Sequence, residues 1–230
     1  MDYKSVLIVG AGSGLSASLA REFAKEGMSV ALAARSTAKL DEFVKETGAK
    51  AFNCDAARRE EVEKLFADLD AAKRTPDVVV YNASYRTRGP VAELDPAEVA
   101  KALEITAYGA FLVGQAAAKR MLPRGHGAIF FTGASASVKG YAQSAPFAMG
   151  KFALRGLAQS MARELHPQGI HVAHFVIDGG IRSARRPADP ANPDALLDPD
   201  AIAASYLAVL KQPPSAWTQE LELRPWVEKF

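Results

Sequence analysis

The stretch SVLIVGAGSGLS, residues 5–16, joins a short apolar run to a turn that contains three glycines. The run at residues 5–9 has the length and the continuous apolar character of a strand that is buried on both faces. Glycines permit the tight turn that follows, and a helical pattern begins at Leu15. In this order, the turn can hold a phosphate against the N-terminus of the helix. The stretch therefore predicts a nucleotide-binding turn, although an ordinary glycine-rich loop is the alternative.

Short apolar runs alternate with longer helical patterns along the rest of the chain. Apolar strands that alternate with helices form parallel sheets covered by helices on both sides. We therefore predict an α/β fold, a Rossmann-like, doubly wound parallel sheet of about seven strands in a single domain over residues 1–230. Residues 183–199, interrupted by prolines, are predicted as a loop or small lid. The predicted strands are 5–9, 29–33, 50–54, 77–81, 127–131, 171–177 and 221–223, and the predicted helices are 15–27, 37–47, 60–69, 96–121, 145–165 and 198–210.

The composition limits the classes of partner. The chain has 230 residues, of which 49% are apolar, and its formal net charge is +2. This charge is too small to indicate nucleic acid or a membrane surface as the main partner. The single cysteine, Cys54, fits a reducing compartment, the first apolar run is too short for a signal peptide, and no Cys/His spacing indicates a metal site. We therefore expect a cytoplasmic protein that binds neither nucleic acid, nor a membrane, nor a metal.

Two polar residues after the second predicted strand bear on the identity of the nucleotide. An acid at this place hydrogen-bonds the ribose 2′-hydroxyl of NAD, whereas an arginine accommodates the 2′-phosphate of NADP. The chain has Arg35 and Ser36 there. These residues favour NADP over NAD, with NADPH preferred over NADH, and a solvated surface arginine is the alternative.

Further motifs follow the later strands. Asp55 follows the third strand, and Asn82-Ala83-Ser84 follows the fourth. Lys151 lies in the long helix after the fifth strand, and the segment DGGIRS, residues 178–183, follows the sixth. Together with the glycine turn, these motifs resemble, nearly from end to end, those of the short-chain dehydrogenase/reductase family.

The resemblance implies an oxidoreductase that uses NADP and acts on a carbonyl or alcohol. In the family, Gly-x-x-x-Gly-x-Gly holds the cofactor, and Ser16 stands here for its last glycine. The family's Asn-Ala-Gly ends here in Ser84, and its Pro-Gly-x-x-x-Thr segment, which holds the nicotinamide carboxamide, begins here with Asp178. The cofactor-binding residues implied by the turn and by the resemblance are Gly10, Gly12, Ser13, Gly14, Leu15, Arg35, Ser36, Asp55, Ala56, Asn82, Ala83, Ser84, Thr132, Lys151, Gly179, Ile181 and Ser183.

Three positions depart from the family pattern where catalysis is expected. Family members carry a Tyr-x-x-x-Lys pair, in which the tyrosine exchanges the substrate proton while the lysine lowers the tyrosine pKa and binds the nicotinamide ribose. The alignment places Phe147 at the tyrosine, Ala134 at the substrate-orienting serine and Thr106 at the supporting asparagine. Of these groups only Lys151 remains, and phenylalanine has no proton to exchange.

Two hypotheses follow from the missing tyrosine. In the first, the protein is an oxidoreductase with a divergent active site, in which Ser135 or Tyr141 serves as the hydroxyl beside Lys151. Tyr141 is the better candidate because a nearby ammonium favours the phenolate, although a wall of the substrate pocket is its alternative role. In the second hypothesis, the protein binds NADP without redox turnover and has a regulatory or binding role.

The resemblance also predicts the pocket for a small-molecule substrate, which is lined by Tyr85, Ala134, Phe147 and Arg182. Arg182 and its neighbours Arg185 and Arg186 could hold a carboxylate or phosphate of the substrate. A solvated basic loop is the alternative for these three residues.

The long helices at 96–121 and 145–165 resemble those that build the dimer interface of the family. We therefore expect a homodimer or homotetramer.

Overall fold

Seven parallel strands form one sheet in this computed structural model, which describes residues 2–228. The strand order is β3-β2-β1-β4-β5-β6-β7, and every neighbouring pair is parallel. The predicted doubly wound α/β fold is therefore confirmed. The strands are β1 (Ser5–Val9), β2 (Ser29–Ala34), β3 (Lys50–Asn53), β4 (Val78–Tyr81), β5 (Gly127–Thr132), β6 (Ile170–Ile177) and β7 (Glu220–Leu223).

Helices cover both faces of the sheet. One face packs against α1, α2 and α7, and the other packs against α3, α5 and α6. Within β1, Val6 and Ile8 face the first layer, whereas Leu7 and Val9 face the second, as the alternation of side chains along a strand requires. The helices are α1 (Leu15–Lys25), α2 (Asp41–Thr47), α3 (Arg59–Ala71), α4 (Pro96–Leu103), α5 (Gly109–Met121), α6 (Ala145–Leu165) and α7 (Pro199–Leu210).

The predicted continuous helix at 96–121 is interrupted by a π-helical turn, Glu104–Tyr108, between α4 and α5. The hydroxyl of Tyr81 enters this turn and donates to the carbonyl of Ile105. It also lies against Gly109, where an added Cβ would be 2.6 Å from the Tyr81 oxygen. An inserted side chain is one of the ordinary causes of an irregular helix. Most other predicted boundaries differ from the structure by one or two residues, and the predicted helix at 37–47 is a 3₁₀ turn, Thr37–Lys39, followed by α2.

Large apolar side chains remain exposed on the two long helices that follow the π turn and β5. Phe111 on α5 and Met149 and Phe152 on α6 are each more than two-fifths exposed. Association of two copies through these helices stays a prediction. Within residues 2–228, no helix has the length and apolar character that a bilayer span requires.

Gly10 follows β1 directly and lies beside the loop that follows β4. Its φ is +86°, a conformation that strains residues with a Cβ. An added Cβ would lie 2.5 Å from the Cα of Ala83, so that backbone would have to shift. The backbone N–H groups of Gly10 and Ala11 both donate to the carbonyl of Ala33, at 2.9 and 3.0 Å. The turn therefore requires glycine at this position.

Replacement of Gly10 by alanine is expected to lower the free energy of unfolding by roughly 2–4 kcal/mol, because strain at positive φ adds to overlap with backbone. Urea denaturation of the cofactor-free protein measures this value. Gly12→Ala is the matched control, because a Cβ at Gly12 meets no atom within 4 Å. Equal destabilisation by the two variants would contradict this account of the turn.

Candidate functional site

A cleft of about 230 Å³ opens where β1 to β4 end. It lies at the point where the strand order reverses between β1 and β4, which is where ligands bind in open α/β sheets. Residues from the ends of all four strands, together with one residue of the π turn, form its walls. The lining residues are Val9, Gly10, Ala11, Ala34, Arg35, Cys54, Asp55, Ala56, Asn82, Ala83, Ser84 and Ile105.

The N-terminus of α1 borders the glycine turn. Its N-cap residue, Gly14, makes no side-chain cap, and the first turn of the helix carries no acidic residue. A Cβ built on Gly12 or on Gly14 meets no atom within 4 Å, so the turn faces open space. Backbone N–H groups without a side-chain acceptor, at the positive end of a helix, suit a phosphate group. The residues present therefore fit the pyrophosphate of a dinucleotide.

Ser16, which stands for the last glycine of the motif, links the glycine turn to the loop after β4. Its buried hydroxyl donates to the carbonyl of Gly10 at 3.1 Å and accepts from the Asn82 side-chain amide at 2.7 Å. The Asn82 backbone N–H in turn donates to Val9 at 2.8 Å. The serine therefore fastens the two loops that line the cleft to each other.

Arg35 and Asp55, two of the residues predicted to recognise the adenosine end of the cofactor, line the cleft. Arg35 and Ser36 are exposed after β2, and no carboxylate within residues 2–228 forms an ion pair with Arg35. Asp55 lies after β3, where its Oδ1 accepts from the backbone N–H of Ala57 at 3.0 Å. Ile105 also lines the cleft. Ile105 was not predicted from the sequence, because only the π turn brings it to the cleft.

Lys151 is the most deeply buried cation of the site, with 3% of its surface exposed. Its Nζ donates to the backbone carbonyl of Thr132 at 2.6 Å. Burial, and to a smaller extent the nearby charge of Arg86, lowers the pKa of Lys151 to about 7. Lys151 therefore holds a proton that it can release near neutral pH.

Phe147 lies one turn before Lys151 on α6 and is 7% exposed. The Lys151 Nζ is 5.8 Å from the centroid of its ring, and the guanidinium carbon of Arg86 is 4.0 Å from the same centroid. Arg86 was not among the residues predicted from the sequence. Its place two residues after Ser84, in a loop at the carboxyl end of β4, is the signal from which it could have been predicted.

The two candidate hydroxyls lie in the connection between β5 and α6. Tyr141 is 47% exposed. The pKa of the nearby Lys139 ammonium is raised mainly by Asp178 and less by Tyr141. Within residues 2–228, no hydrogen bond or ring contact joins Tyr141 to Lys151, and a catalytic role for Tyr141 stays a prediction. Ser135 is half-buried in a short 3₁₀ turn, Ser135–Ser137.

Several other predicted site residues are engaged in the surrounding structure. The backbone N–H of Ala134 donates to the hydroxyl of Ser137 at 3.1 Å. Thr106 is buried, and its Oγ1 accepts from the backbone N–H of Tyr85 at 3.3 Å. The Tyr85 hydroxyl donates to Glu98, on α4. Thr132 hydrogen-bonds Tyr206 through its side chain at 2.9 Å, so it meets Lys151 only through its backbone.

The segment after β6 forms one rim of the predicted nicotinamide site. The buried carboxylate of Asp178 pairs with Lys139 at 3.2 Å and with Arg224 at 3.3 Å. Arg182 pairs with Asp198, the N-cap residue of α7, at 2.7 Å. Gly179, Ile181 and Ser183 follow Asp178 along this rim, where Ile181 bridges Leu197 and Ser183 bridges Arg186. In the part of the chain that the structure describes, no three Cys, His, Asp or Glu side chains gather as metal ligands do.

Known proteins share this architecture over nearly the whole chain. A short-chain dehydrogenase from Rhodopseudomonas palustris is 36% identical, with a TM-score of 0.83 over 97% of this chain and 99% of the other. An alcohol dehydrogenase from the archaeon Thermococcus sibiricus, complexed with 5-hydroxy-NADP, is 25% identical, with a TM-score of 0.86 over 98% of both chains. An uncharacterized oxidoreductase of Staphylococcus aureus is 25% identical over 96% of this chain and 97% of its own.

The model of the short chain dehydrogenase family matches residues 4–189, which include the glycine turn, Lys151 and the segment after β6. With the parallel sheet and the cleft at its switch point, this match establishes that the chain belongs to the short-chain dehydrogenase family of oxidoreductases.

Proposed function

We propose that this protein is an NADP-dependent oxidoreductase that interconverts a carbonyl compound and an alcohol through a divergent active site. The cleft at the switch point, with the uncapped N-terminus of α1 on one side and Arg35 on the other, is the observation that carries this proposal. When bound, the nicotinamide supplies or accepts the hydride. The similar Thermococcus sibiricus enzyme, which is complexed with 5-hydroxy-NADP, supports a cofactor of this class.

The preference for NADP rests on Arg35. The guanidinium lies at the end of β2, where a carboxylate would instead select the ribose hydroxyl of NAD. Arg35 is exposed and lines the cleft, so its guanidinium is available to a 2′-phosphate. Ser36, also exposed, adds a hydroxyl donor beside it.

Phe147, at the position of the family tyrosine, has no proton to exchange, so we assign the proton transfer to Lys151. An ammonium has three N–H donors, and the Thr132 carbonyl is the one hydrogen-bond acceptor of Nζ among residues 2–228. The remaining donors are free for the cofactor ribose and the substrate oxygen. In carbonyl reduction, the substrate carbon receives the hydride while a proton passes from Lys151 Nζ to the substrate oxygen; alcohol oxidation runs the same step backwards.

The lowered pKa of Lys151 gives this step a defined pH dependence. The ammonium, which donates the proton in reduction, is the main form below about pH 7 and is lost as the pH rises through that value. Because Lys151 holds fewer protons in the folded state than in the unfolded state between about pH 7 and pH 10, its destabilising effect is fully present below about pH 7 and falls as the pH rises above that value.

Arg35→Ala is expected to raise the Kd for NADPH by about 10-fold or more and to leave the Kd for NADH within about 2-fold, because only NADPH has the 2′-phosphate. Fluorescence titration of the two cofactors measures both values. Arg163→Ala is the matched control, since Arg163 is exposed on α6 and bonds the carbonyl of Gln159. Equal losses for the two cofactors would count against the phosphate role of Arg35, and no binding of NADPH to the wild type would refute the proposed function.

Lys151→Met is expected to lower kcat for NADPH oxidation, in a screen of aldehydes and ketones at saturating NADPH, by about 10²-fold or more. The same variant should raise the Tm of the cofactor-free protein at pH 7, and raise it less at pH 10, because it removes a buried ammonium. The raised Tm separates a chemical defect from misfolding. Lys119→Met, on the exposed surface of α5, is the control for removal of a positive charge.

The variant Tyr141→Phe tests whether Lys151 or the phenol of Tyr141 donates the proton to the substrate oxygen. With Lys151 as the proton donor, we expect the variant to keep kcat within about 3-fold and to keep the wild-type fall in activity above pH 7. A loss of about 10²-fold in Tyr141→Phe, with NADPH binding unchanged, would instead assign the proton transfer to Tyr141. Ser135→Ala is the corresponding test for the serine.

A further inference from the structure

The exposed side chain of Arg86 packs on the Phe147 ring, with its guanidinium carbon 4.0 Å from the ring centroid, and two further exposed arginines act on its charge. Arg86 and Arg88 come from the loop after β4, and Arg186 comes from the segment after β6. Burial lowers the pKa of the Arg86 guanidinium, and the charges of Arg88 and Arg186 lower it further. Among the side chains of residues 2–228, no carboxylate forms an ion pair with any of the three, in contrast to Arg182, which pairs with Asp198. The cluster therefore concentrates positive charge that the fold leaves uncompensated.

Backbone contacts hold the cluster in place. The loop that carries Arg86 is anchored on both sides. Before Arg86, the backbone N–H of Tyr85 donates to Thr106 Oγ1 at 3.3 Å, and after it the backbone N–H of Gly89 donates to the Gln143 carbonyl at 3.2 Å. Arg186 is held by two reciprocal backbone hydrogen bonds with Ser183, at 2.9 and 3.0 Å. Such anchoring lowers the entropy that a ligand must remove from the loops on binding.

Phe147 places this cluster at the substrate end of the site. It is the residue one helical turn from Lys151, whereas the cofactor phosphates are expected at α1 and at Arg35. The Arg86 guanidinium packs on the Phe147 ring, which covers one side of the cation, while the residue as a whole stays exposed. A guanidinium held in this way matches the planar, two-oxygen geometry of a carboxylate.

We propose that Arg86, supported by Arg88 and Arg186, binds a carboxylate of the substrate, so that the protein acts on oxo acids and on the corresponding hydroxy acids. This inference rests on the proposed oxidoreductase function. It assigns Arg86 a specificity role and leaves the proton transfer with Lys151. The carboxylate relieves the repulsion among the three cations, and the attraction weakens as salt is added.

The test compares charged and neutral forms of the same carbonyl compound. Pyruvate, benzoylformate and levulinate, and the methyl ester of each, are titrated calorimetrically into the protein loaded with NADP, and the same six compounds are assayed for NADPH oxidation. We expect at least one acid to bind about 10-fold or more tightly than its ester, and less tightly at high salt. If no acid binds more tightly than its ester, the proposal is overturned, even where neutral carbonyls are reduced and the oxidoreductase function stands.

The variant Arg86→Gln tests whether Arg86 is the residue that makes the acid bind more tightly than its ester. The variant should raise the Kd and KM for the preferred acid about 10-fold or more, while the values for the ester and the Kd for NADPH stay within about 2-fold. Arg163→Gln, with the same change of charge on the outer surface of α6, should change none of these values. Equal losses for acid and ester, or a matching loss of NADPH affinity, would show that Arg86 serves the fold or the cofactor and would overturn the proposal.

Discussion

The approach of Gly10 to the backbone of Ala83 is the constraint on which the site depends. It occurs where two neighbouring strands, β1 and β4, end and the chain leaves toward opposite faces of the sheet. Because the helices depart in opposite directions, a crevice remains above the strand ends, and no side chain of the glycine turn fills it. The hydroxyl of Ser16 then fixes the distance between the two loops. The shape of the cleft is thus set by backbone contacts that large side chains would prevent.

Positive charge dominates the site at both of its ends. Arg35 marks one end, while Lys151 and Arg86, which packs on Phe147, mark the other. Elsewhere many cations of this chain pair with carboxylates, and the one carboxylate near the rim, Asp178, is itself neutralised by two cations. A buried ammonium without a carboxylate partner lowers stability, and such groups persist where function requires them. The electrostatics therefore suit ligands that bring negative charge.

Local patterns were sufficient to predict the sheet and the glycine turn, because strands buried on both faces and glycines at strand ends leave signals in short windows of sequence. The spacing between Phe147 and Lys151 was equally visible. Contacts between distant segments were not. The stacking of Arg86 on Phe147 joins residues far apart in the chain, and so does the ion pair between Lys139 and Asp178. The sequence pattern carries no period or motif for such pairs, so only the folded chain reveals them.

The π-helical turn before α5 has a consequence for the comparison of sequences. A π-helical turn holds one residue more than an α-helical turn. A homologue with one residue fewer between Glu104 and Tyr108 would therefore continue as a regular α-helix, with the side chains on the two sides of the deletion in nearly the same relative orientation. To align this helix with that of a homologue, the number of residues in the turn must therefore be compared as well as their types. The correspondence of Thr106 with the family's asparagine depends on that number.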